Sequence, residues 1–302
     1  MCFYGETTPS RNLSRYIRSV EYILKCYRDQ QIKKPLIVNT LGWNEGLGVH
    51  IIVDLIHMIQ PSIIIQLRCE YNYNNFPILT HEYLSHTPGW LYNTDRSLTI
   101  KSNQFQEQNL LVIDSDVPTK HKTEFKAAHM RELSLLAYLN QNLKIGWKLF
   151  HVEPYAIDFN QVAVHDCQSC GSYSQILYAL NASVVGLCEA DLTKVDKRLE
   201  NGLRLFKETP IFNCVGLGIV RAIDIKKKCL YIICPIPQEK LLNVNLLVKG
   251  AIHLPDTMYL EYEKSEETLE MPYIGYLPKS LGSKALVVRN KMPRKQYLNN
   301  KS

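Results

Sequence analysis

Four consecutive residues, Thr40-Leu41-Gly42-Trp43, have the composition of a nucleotide-binding segment. They end a short apolar run that is typical of a strand. Glycine permits backbone angles that other residues avoid, and a tryptophan ring beside it can stack on a base. In α/β sheets ligands bind beyond the carboxyl ends of the strands, which is where this segment is predicted to lie. Tryptophan is also common in cores and at their rims, so the segment alone leaves both interpretations open.

Nucleotide phosphates are usually held by a glycine-rich loop at a helix N-terminus, where backbone N–H groups point at the phosphate oxygens. The motif G-x-x-x-x-G-K-[ST] does not occur in the 302 residues, which contain no Gly-Lys pair. Gly46-x-Gly48 and Gly216-x-Gly218 each lack the third glycine of a dinucleotide loop. We interpret them as turn or packing glycines, and the sequence shows no recognisable phosphate cradle.

Two further groups of side chains have some features of metal sites. An apolar run leads to Asp114 and Asp116, and a carboxylate after a strand can hold Mg²⁺, but short apolar runs ending in Asp are common. His165, Cys167 and Cys170 lie close in sequence, whereas a structural zinc site needs four ligands and no second pair has conventional spacing. We predict that neither group binds a metal.

Regular elements must position these residues, and the first is a helix. Apolar side chains recur at 3.6-residue spacing from Leu13 to Tyr27, after the helix-start signal Thr8-Pro9-Ser10. Further patterns predict a βαβ unit, then another strand and helix, at 35–40, 47–59, 61–67, 110–113 and 125–139. About three parallel strands result, which is fewer than a doubly wound sheet normally has.

The second half of the chain is predicted to be mostly β. Runs of strand-forming residues lie at 175–188, 211–223, 229–236 and 244–253, and residues 224–228 predict a hairpin turn. From Lys279 onward the sequence holds seven Lys or Arg and no acid, which predicts a flexible basic tail. The predicted organisation is an α/β part at 1–150, a β-rich domain at 151–278 and a tail at 279–302.

Composition restricts the class of protein. Lys and Arg number 35 against 29 Asp and Glu, a mild positive charge that permits contact with nucleic acid without requiring it. No window reaches 18 uninterrupted apolar residues, and the first residues lack a basic and an apolar region, so neither a membrane span nor a signal peptide is expected. Nine scattered cysteines predict reduced thiols in an intracellular compartment.

Several blocks of the sequence together resemble one enzyme family. The first three blocks are Tyr4-Gly5-Glu6-Thr7-Thr8-Pro9-Ser10-Arg11-Asn12, residues 35–43 and residues 55–62. The others lie at 131–139, 177–188 and 216–224. On these residues the chain is identified as a member of the polynucleotide 5′-hydroxyl-kinase family, and it resembles the nucleolar, pre-ribosomal-RNA-processing branch more closely. The similarity spans nearly the whole chain.

The resemblance implies a fold and an activity. The fold is an α/β, partial P-loop-kinase-like parallel sheet with helices, followed by a β-rich C-terminal domain. The activity is transfer of the γ-phosphoryl group of ATP, with Mg²⁺, to the 5′-hydroxyl of RNA or DNA. The implied setting is pre-rRNA internal-transcribed-spacer processing in the nucleolus of the nucleus. The implied partners are RNA with a 5′-hydroxyl end and the spacer endonuclease that generates it, with no membrane.

The resemblance also implies site residues. The family's T-x-G-W clasp holds the terminal nucleotide of the substrate, and it falls on Thr40, Gly42 and Trp43. Arg131 falls in the lid-proximal helix and is a weaker candidate for contacting phosphate. No residue of the chain is assigned to the cofactor or to a metal.

The chain departs from the family pattern at its front. In the family the phosphate loop and the carboxylates near Mg²⁺ precede the block that begins at Gly5. We therefore expect an N-terminally truncated member that lacks the phosphate loop and does not phosphorylate RNA alone. The alternative is a non-catalytic adaptor, derived from that kinase, that binds RNA or the endonuclease. A Rossmann-like small-molecule enzyme would need a glycine fingerprint that the sequence lacks.

Overall fold

The computed structural model describes residues 1–31, 34–69, 75–91, 109–115, 127–145, 149–167, 175–195, 197–199, 201–206 and 211–254. The chain forms two compact units. The α/β unit comprises Thr8–Ala127, and the β-rich unit comprises the residues from Ala128 onward together with Met1 and Phe3–Thr7. Within the described ranges, no helix is long and apolar enough to cross a membrane.

Two helices build the core of the α/β unit. Helix α1 (Leu13–Asp29) begins where the Asn12 side chain accepts a hydrogen bond from the Arg15 N–H at 3.0 Å. Helix α2 (Leu47–Ile59) is buried along the whole of Ile51–Ile56, as expected of a helix enclosed by its neighbours. The helices predicted from Leu13 and at 47–59 are therefore confirmed.

The sheet of the α/β unit has two described strands, β1 (Ile63–Arg68) and β2 (Asn109–Asp114). They pair in parallel over their full length, which confirms the parallel arrangement predicted for them. A short helix, α3 (His81–His86), lies between them in sequence. Parallel strands end at the same edge of a sheet, so the residues after β1 and β2 lie side by side.

The strand predicted at 35–40 is wrong. Residues 35–44 form neither helix nor strand, and the Ile37 side chain is 90% exposed. β-Branched residues favour a strand only where a neighbouring strand pairs with them and covers them. Among the described residues no strand pairs with this segment, and only α2 and β1 of the predicted βαβ unit are present.

The described residues of the β-rich unit form eight strands and three α-helices. The strands are β3 (Tyr155–Asp158), β4 (Ala163–Asp166), β5 (Val184–Glu189), β6 (Lys197–Arg198), β7 (Arg204–Leu205), β8 (Asn213–Asp224), β9 (Cys229–Ile233) and β10 (Leu246–Lys249). The helices are α4 (Ala127–Asn140), α5 (Ile176–Leu180) and α6 (Gln238–Leu241). The strands form one sheet in the order β3-β9-β8-β5-β10-β4-β7-β6.

This strand order requires the sheet to curl. Strand β3 is first and β4 is sixth in the order, yet only residues 159–162 connect them. Five inter-strand spacings would span roughly 24 Å in a flat sheet, more than the roughly 17 Å that such a connection reaches. The sheet therefore wraps around a buried core that includes Phe159, Val164, Leu180, Leu187, Leu203, Leu230 and Leu247.

Most of the predicted β runs are confirmed, with one exception. Strands β8, β9 and β10 lie within or close to the predicted runs, and residues 225–228 form the predicted turn between β8 and β9. The run predicted at 175–188 instead divides into α5 and β5. The division falls at Ala182, whose φ of +55° turns the chain between the two elements.

Helix α4 packs with the β-rich unit. The Tyr138 hydroxyl accepts a hydrogen bond from the Leu217 N–H at 2.8 Å, and Leu139 is buried. The division between the units consequently lies at residue 127, one helix earlier than the predicted boundary at 150. The β-rich domain predicted at 151–278 is described as far as residue 254, and the tail predicted at 279–302 lies outside the described residues.

The first residues of the chain form a strap, Phe3–Gly5, across the β-rich unit. The Gly5 carbonyl oxygen accepts a hydrogen bond from the Ala251 N–H at 2.6 Å, and Phe3 is buried. A Cβ atom at Gly250 would overlap the Gly5 backbone, and one at Gly186 would lie 2.6 Å from the Phe3 ring. Glycines are therefore required beneath the strap because its backbone and ring occupy the space of their side chains.

Substitution Gly250→Ala tests the strap. We expect it to lower the free energy of unfolding by about 2–3 kcal/mol, because displacing the strap exposes the Phe3 ring. Thermal and urea denaturation measure the change. Gly42→Ala is the matched control, since no atom lies within 4 Å of the added Cβ there. Equal stability of the two variants would contradict the tight packing of the strap.

Candidate substrate-binding site

The segment Thr40–Trp43 leads into α2 within the α/β unit. Thr40 and Gly42 are exposed, whereas Trp43 is half-buried and packs against the cluster of apolar side chains around α2. One part of the indole is thus held by the core while another part faces solvent. A ring in this position has a fixed orientation and still offers surface to a ligand.

Two glycines at the start of α2 hold Trp43 in place. Gly46 precedes the helix with a φ of +54°, a region that L-residues with side chains rarely adopt. A Cβ atom at Gly48 would overlap the carbonyl oxygen and the Cβ of Trp43. The first turn of α2 therefore lies directly against the tryptophan backbone, and the pair predicted to be turn or packing glycines performs both roles.

Hydrogen bonds connect the residue after Trp43 to the carboxyl end of β1. The Asn44 side-chain amide donates to the Asn75 carbonyl oxygen at 3.3 Å. The Asn75 side chain accepts from the Cys69 N–H at 2.7 Å and donates to the Cys69 carbonyl oxygen at 2.9 Å. Since Cys69 directly follows β1, these contacts keep Asn44 near the strand end, where ligands bind in parallel sheets.

Two charged side chains lie at the same edge of the sheet. Arg68 ends β1 and Asp114 ends β2, and these residues are opposite each other in the parallel register. The Arg68 Nε atom lies 3.9 Å from Asp114 Oδ1, and the Asp114 side chain is 85% exposed. Such an exposed pair contributes little to stability, so the guanidinium is able to exchange the carboxylate for an anionic ligand.

A buried glutamine fixes the loop that contains Asn75. The Gln66 side-chain amide donates to the carbonyl oxygens of Phe76 and Pro77 at 3.0 and 3.1 Å. Its own oxygen accepts from the Leu79 N–H at 3.1 Å. One side chain thereby satisfies three backbone groups of the loop, which determines the position of Asn75 and through it that of Asn44.

A second buried polar residue fixes the next segment of the unit. The Asp54 carboxylate on α2 accepts hydrogen bonds from the N–H groups of Trp90 and Leu91, both at 2.9 Å. Its charge is thus compensated by peptide dipoles in an otherwise apolar helix. On the same helix, burial lowers the pKa of His57 below its usual range, more than the backbone contact with Leu84 raises it. Because its neutral form is favoured, His57 is not a phosphate-binding cation at neutral pH.

The predicted site residues fall into two groups. Thr40, Gly42 and Trp43 lie together in the α/β unit, whereas Arg131 is exposed on α4 and belongs to the β-rich unit. Arg68 and Asn44 are further candidate site residues, which the sequence patterns did not identify. In the sequence, Arg68 could have been noticed because it follows an apolar run. That it lies opposite Asp114 is shown only by the register of β1 and β2.

The described residues do not provide a complete site for Mg²⁺ or for nucleotide phosphates. No group of three or more His, Cys, Asp and Glu side chains within them is placed to hold a metal ion. Asp114 is a single exposed carboxylate beside the cationic Arg68, and Asp116 lies outside the described residues. The 302 residues also lack the phosphate-loop motif. We therefore derive no reaction step through ATP or Mg²⁺.

Two family models match the chain. The model of the mRNA cleavage and polyadenylation factor CLP1 P-loop matches residues 1–86, and the model of the NOL9-like C-terminal domain matches residues 150–255. The first includes the α/β-unit segment with Trp43 and Arg68. The second covers all eight described strands of the β-rich unit.

Curated relatives match over most of the chain. The polynucleotide 5′-hydroxyl-kinase NOL9 of Bos taurus is 32% identical over 91% of this chain and 42% of its own length. NOL9 of Homo sapiens is 31% identical over 84% of this chain and 39% of its own length. NOL9 of Arabidopsis thaliana is 27% identical over 84% of this chain and 66% of its own length. The chain thus spans about two fifths of the length of the first two relatives.

A solved structure also resembles the chain. It describes the extended interface between Pcf11p and Clp1p, and it aligns with a TM-score of 0.50 at 10% sequence identity over 83% of this chain and 55% of the other. At this identity the likeness concerns the fold alone. It agrees with the predicted fold class, a P-loop-kinase-like α/β arrangement followed by a β-rich part.

Substitution Gln66→Ala tests how the site is held. We expect it to lower the free energy of unfolding by about 2–4 kcal/mol, because three backbone groups lose their buried partner. Thermal denaturation monitored by tryptophan fluorescence measures the change. Gln141→Ala, at an exposed position after α4, is the control and is expected to stay within about 0.5 kcal/mol of the parent. A stable Gln66→Ala protein would show that the loop does not depend on this side chain.

Proposed function

The chain belongs to the family of the NOL9 polynucleotide 5′-hydroxyl-kinases, and from this premise we propose that it binds the 5′-hydroxyl end of RNA. In this proposal the Trp43 ring stacks on the terminal base, and Thr40 and Gly42 line the same segment. The full reaction of such a kinase moves the γ-phosphoryl group of ATP to the terminal hydroxyl. The residues described above serve the substrate side of that reaction.

One observation carries the proposal. A half-buried tryptophan is fixed between the core and solvent, and hydrogen bonds tie its neighbour Asn44 to the carboxyl end of β1. Arg68 lies at that same strand end. An aromatic face and a guanidinium fit the two chemical parts of a nucleotide, its base and its phosphate. Holding the terminal nucleotide in one position is the contribution that phosphoryl transfer most needs from a protein.

We propose that Arg131 contacts a phosphate of the substrates, as the family resemblance implies. Its exposed guanidinium on α4 is compatible with this role. A guanidinium forms two parallel hydrogen bonds to phosphate oxygens, whereas a lysine supplies only a point charge. ATP and Mg²⁺ are the cofactors that the family resemblance implies, and the 302 residues contain no phosphate-loop motif for them.

The biological setting is also a proposal. We place the chain in pre-rRNA spacer processing in the nucleolus, with the spacer endonuclease as its protein partner. The match to the NOL9-like C-terminal domain model and the similarity to NOL9 kinases support this branch of the family. An endonuclease that leaves 5′-hydroxyl ends produces the substrate that such a kinase consumes.

A second candidate function is a non-catalytic adaptor that keeps the RNA clasp and the surface for the endonuclease. The observation that favours it is that the described β-rich unit has a hydrophobic core of its own, around Phe159, Leu187 and Leu230, and can present a binding surface without taking part in phosphoryl transfer. Retention of the endonuclease by the purified chain, without ATP binding, would support the adaptor over the kinase.

Substitution Trp43→Ala tests the clasp. We expect binding of a 5′-hydroxyl RNA oligonucleotide to weaken about tenfold, because base stacking on an aromatic ring contributes about 1–3 kcal/mol. Fluorescence anisotropy with 5′-hydroxyl and 5′-phosphate oligonucleotides measures affinity and end preference. Trp43→Phe should recover most of the binding, and Tyr178→Ala, at an exposed aromatic residue on α5, is the control. An unchanged affinity of Trp43→Ala would contradict the proposed role of this residue.

A labelling experiment tests activity. We expect a polypeptide of these 302 residues not to transfer the γ-phosphoryl group of ATP, because no phosphate loop positions the nucleotide. Purified protein is incubated with labelled ATP, Mg²⁺ and a 5′-hydroxyl oligonucleotide, and an active polynucleotide kinase serves as the control. Labelling by the pure chain that Trp43→Ala abolishes would overturn this expectation.

A further inference from the structure

The turn between β8 and β9 presents three consecutive lysines, Lys226–Lys228, all of them exposed. The turn is well defined, since the Asp224 side chain accepts a hydrogen bond from the Lys227 N–H at 2.9 Å. Lys228 has a φ of +54°, a conformation in which glycine or asparagine is more usual. Three ammonium groups are thus carried by a turn with a fixed backbone.

A neighbouring turn joins this one to a second cationic segment. The Phe159 N–H donates to the Lys228 carbonyl oxygen at 2.9 Å, and the Phe159 side chain is fully buried. The next residue, Asn160, accepts a hydrogen bond from Arg198 Nη2 at 2.7 Å. Because these contacts involve consecutive residues, strand β6 and the lysine turn lie at the same end of the β-rich unit.

The carboxylates of these turns are engaged with backbone groups. Asp158 accepts a hydrogen bond from the Asn160 N–H at 2.7 Å, and Asp224 accepts one from the Lys227 N–H. Among the described residues, no carboxylate forms an ion pair with Lys226, Lys227 or Lys228. The positive charges of Lys226, Lys227 and Lys228 are therefore available to an external anion.

We propose that this surface, the basic end formed by Lys197, Arg198 and Lys226–Lys228, binds the phosphodiester backbone of RNA independently of sequence and of the 5′ group. The proposal rests on the proposed function in taking RNA as the substrate. Lysines are typical of contacts to nucleic-acid phosphates and are depleted in protein–protein interfaces, which are rich in aromatic anchors. Four of the five residues of the basic end are lysines, and this composition favours RNA over an acidic protein.

The test uses the full 302-residue chain with the substitutions Lys226→Gln, Lys227→Gln and Lys228→Gln. The control carries Arg18→Gln, Lys25→Gln and Lys240→Gln, which remove the same charge from exposed positions elsewhere. Anisotropy with single-stranded RNA of about 20 nucleotides is measured over a series of salt concentrations. We expect the basic-end variant to bind about tenfold more weakly, and its slope of log affinity against log salt to be smaller by about 2.

The same loss for 5′-hydroxyl and 5′-phosphate RNA, with a control that binds like the parent, would support the proposal. Parent-like affinity and salt slope in the basic-end variant would overturn it. If the variant lost binding only to an acidic polypeptide such as polyglutamate, the surface would be a protein-binding one and the proposal would be wrong. Failure of the clasp is a separate result, in which Trp43→Ala leaves the end preference unchanged while the basic-end variant still loses affinity.

Discussion

The close approach between the strap Phe3–Gly5 and Gly250 is the constraint on which the organisation of this chain depends. The strap contributes a buried phenylalanine and a backbone hydrogen bond to a unit whose remaining described residues begin at Ala128. The β-rich unit is consequently discontinuous in sequence. A cut at residue 150 would remove both the strap and α4, and with them the partners of Gly186 and Leu217. In sequence, the α/β unit is therefore inserted between two segments that belong to the β-rich unit.

Local patterns predicted the elements whose apolar residues are covered by, or paired with, another described element. The periodicity that begins at Leu13 and the apolar stretch at 47–59 became α1 and α2, and the apolar runs ending near residues 67 and 113 became β1 and β2. The segment at 35–40 contains a similar run of apolar residues, but no described strand pairs with it, and composition alone does not reveal which strands will pair. The strap could not be predicted from local sequence patterns either, because its contacts join residues more than 180 positions apart in sequence.

In the candidate site, too, some residues could be identified from the sequence and others only from the structure. Thr40, Gly42 and Trp43 were found because their types suggest base stacking and because they resemble a family clasp. Arg68 and Asn44 required the register of the parallel strands and the hydrogen bonds of Asn75. Gln66 interrupts the apolar run of β1, and the sequence pattern gives no reason for a polar residue there. In the structure its buried side-chain amide holds the loop through three hydrogen bonds, so the interruption marks a structural role.

In the proposed function, tight binding of RNA and recognition of its 5′ end require different kinds of contact. A stacked terminal base contributes about 1–3 kcal/mol, less than the roughly 4 kcal/mol of even a millimolar complex. In the proposed function, stacking on Trp43 therefore orients the terminal nucleotide but does not retain RNA by itself. Phosphate contacts made by lysines supply affinity without information about the end, and they weaken as salt rises. In a chain that uses both, salt would change how tightly RNA binds while the preference for one 5′ group stays constant. Two units, one with a fixed aromatic ring and one with a cationic end, suit that division of roles.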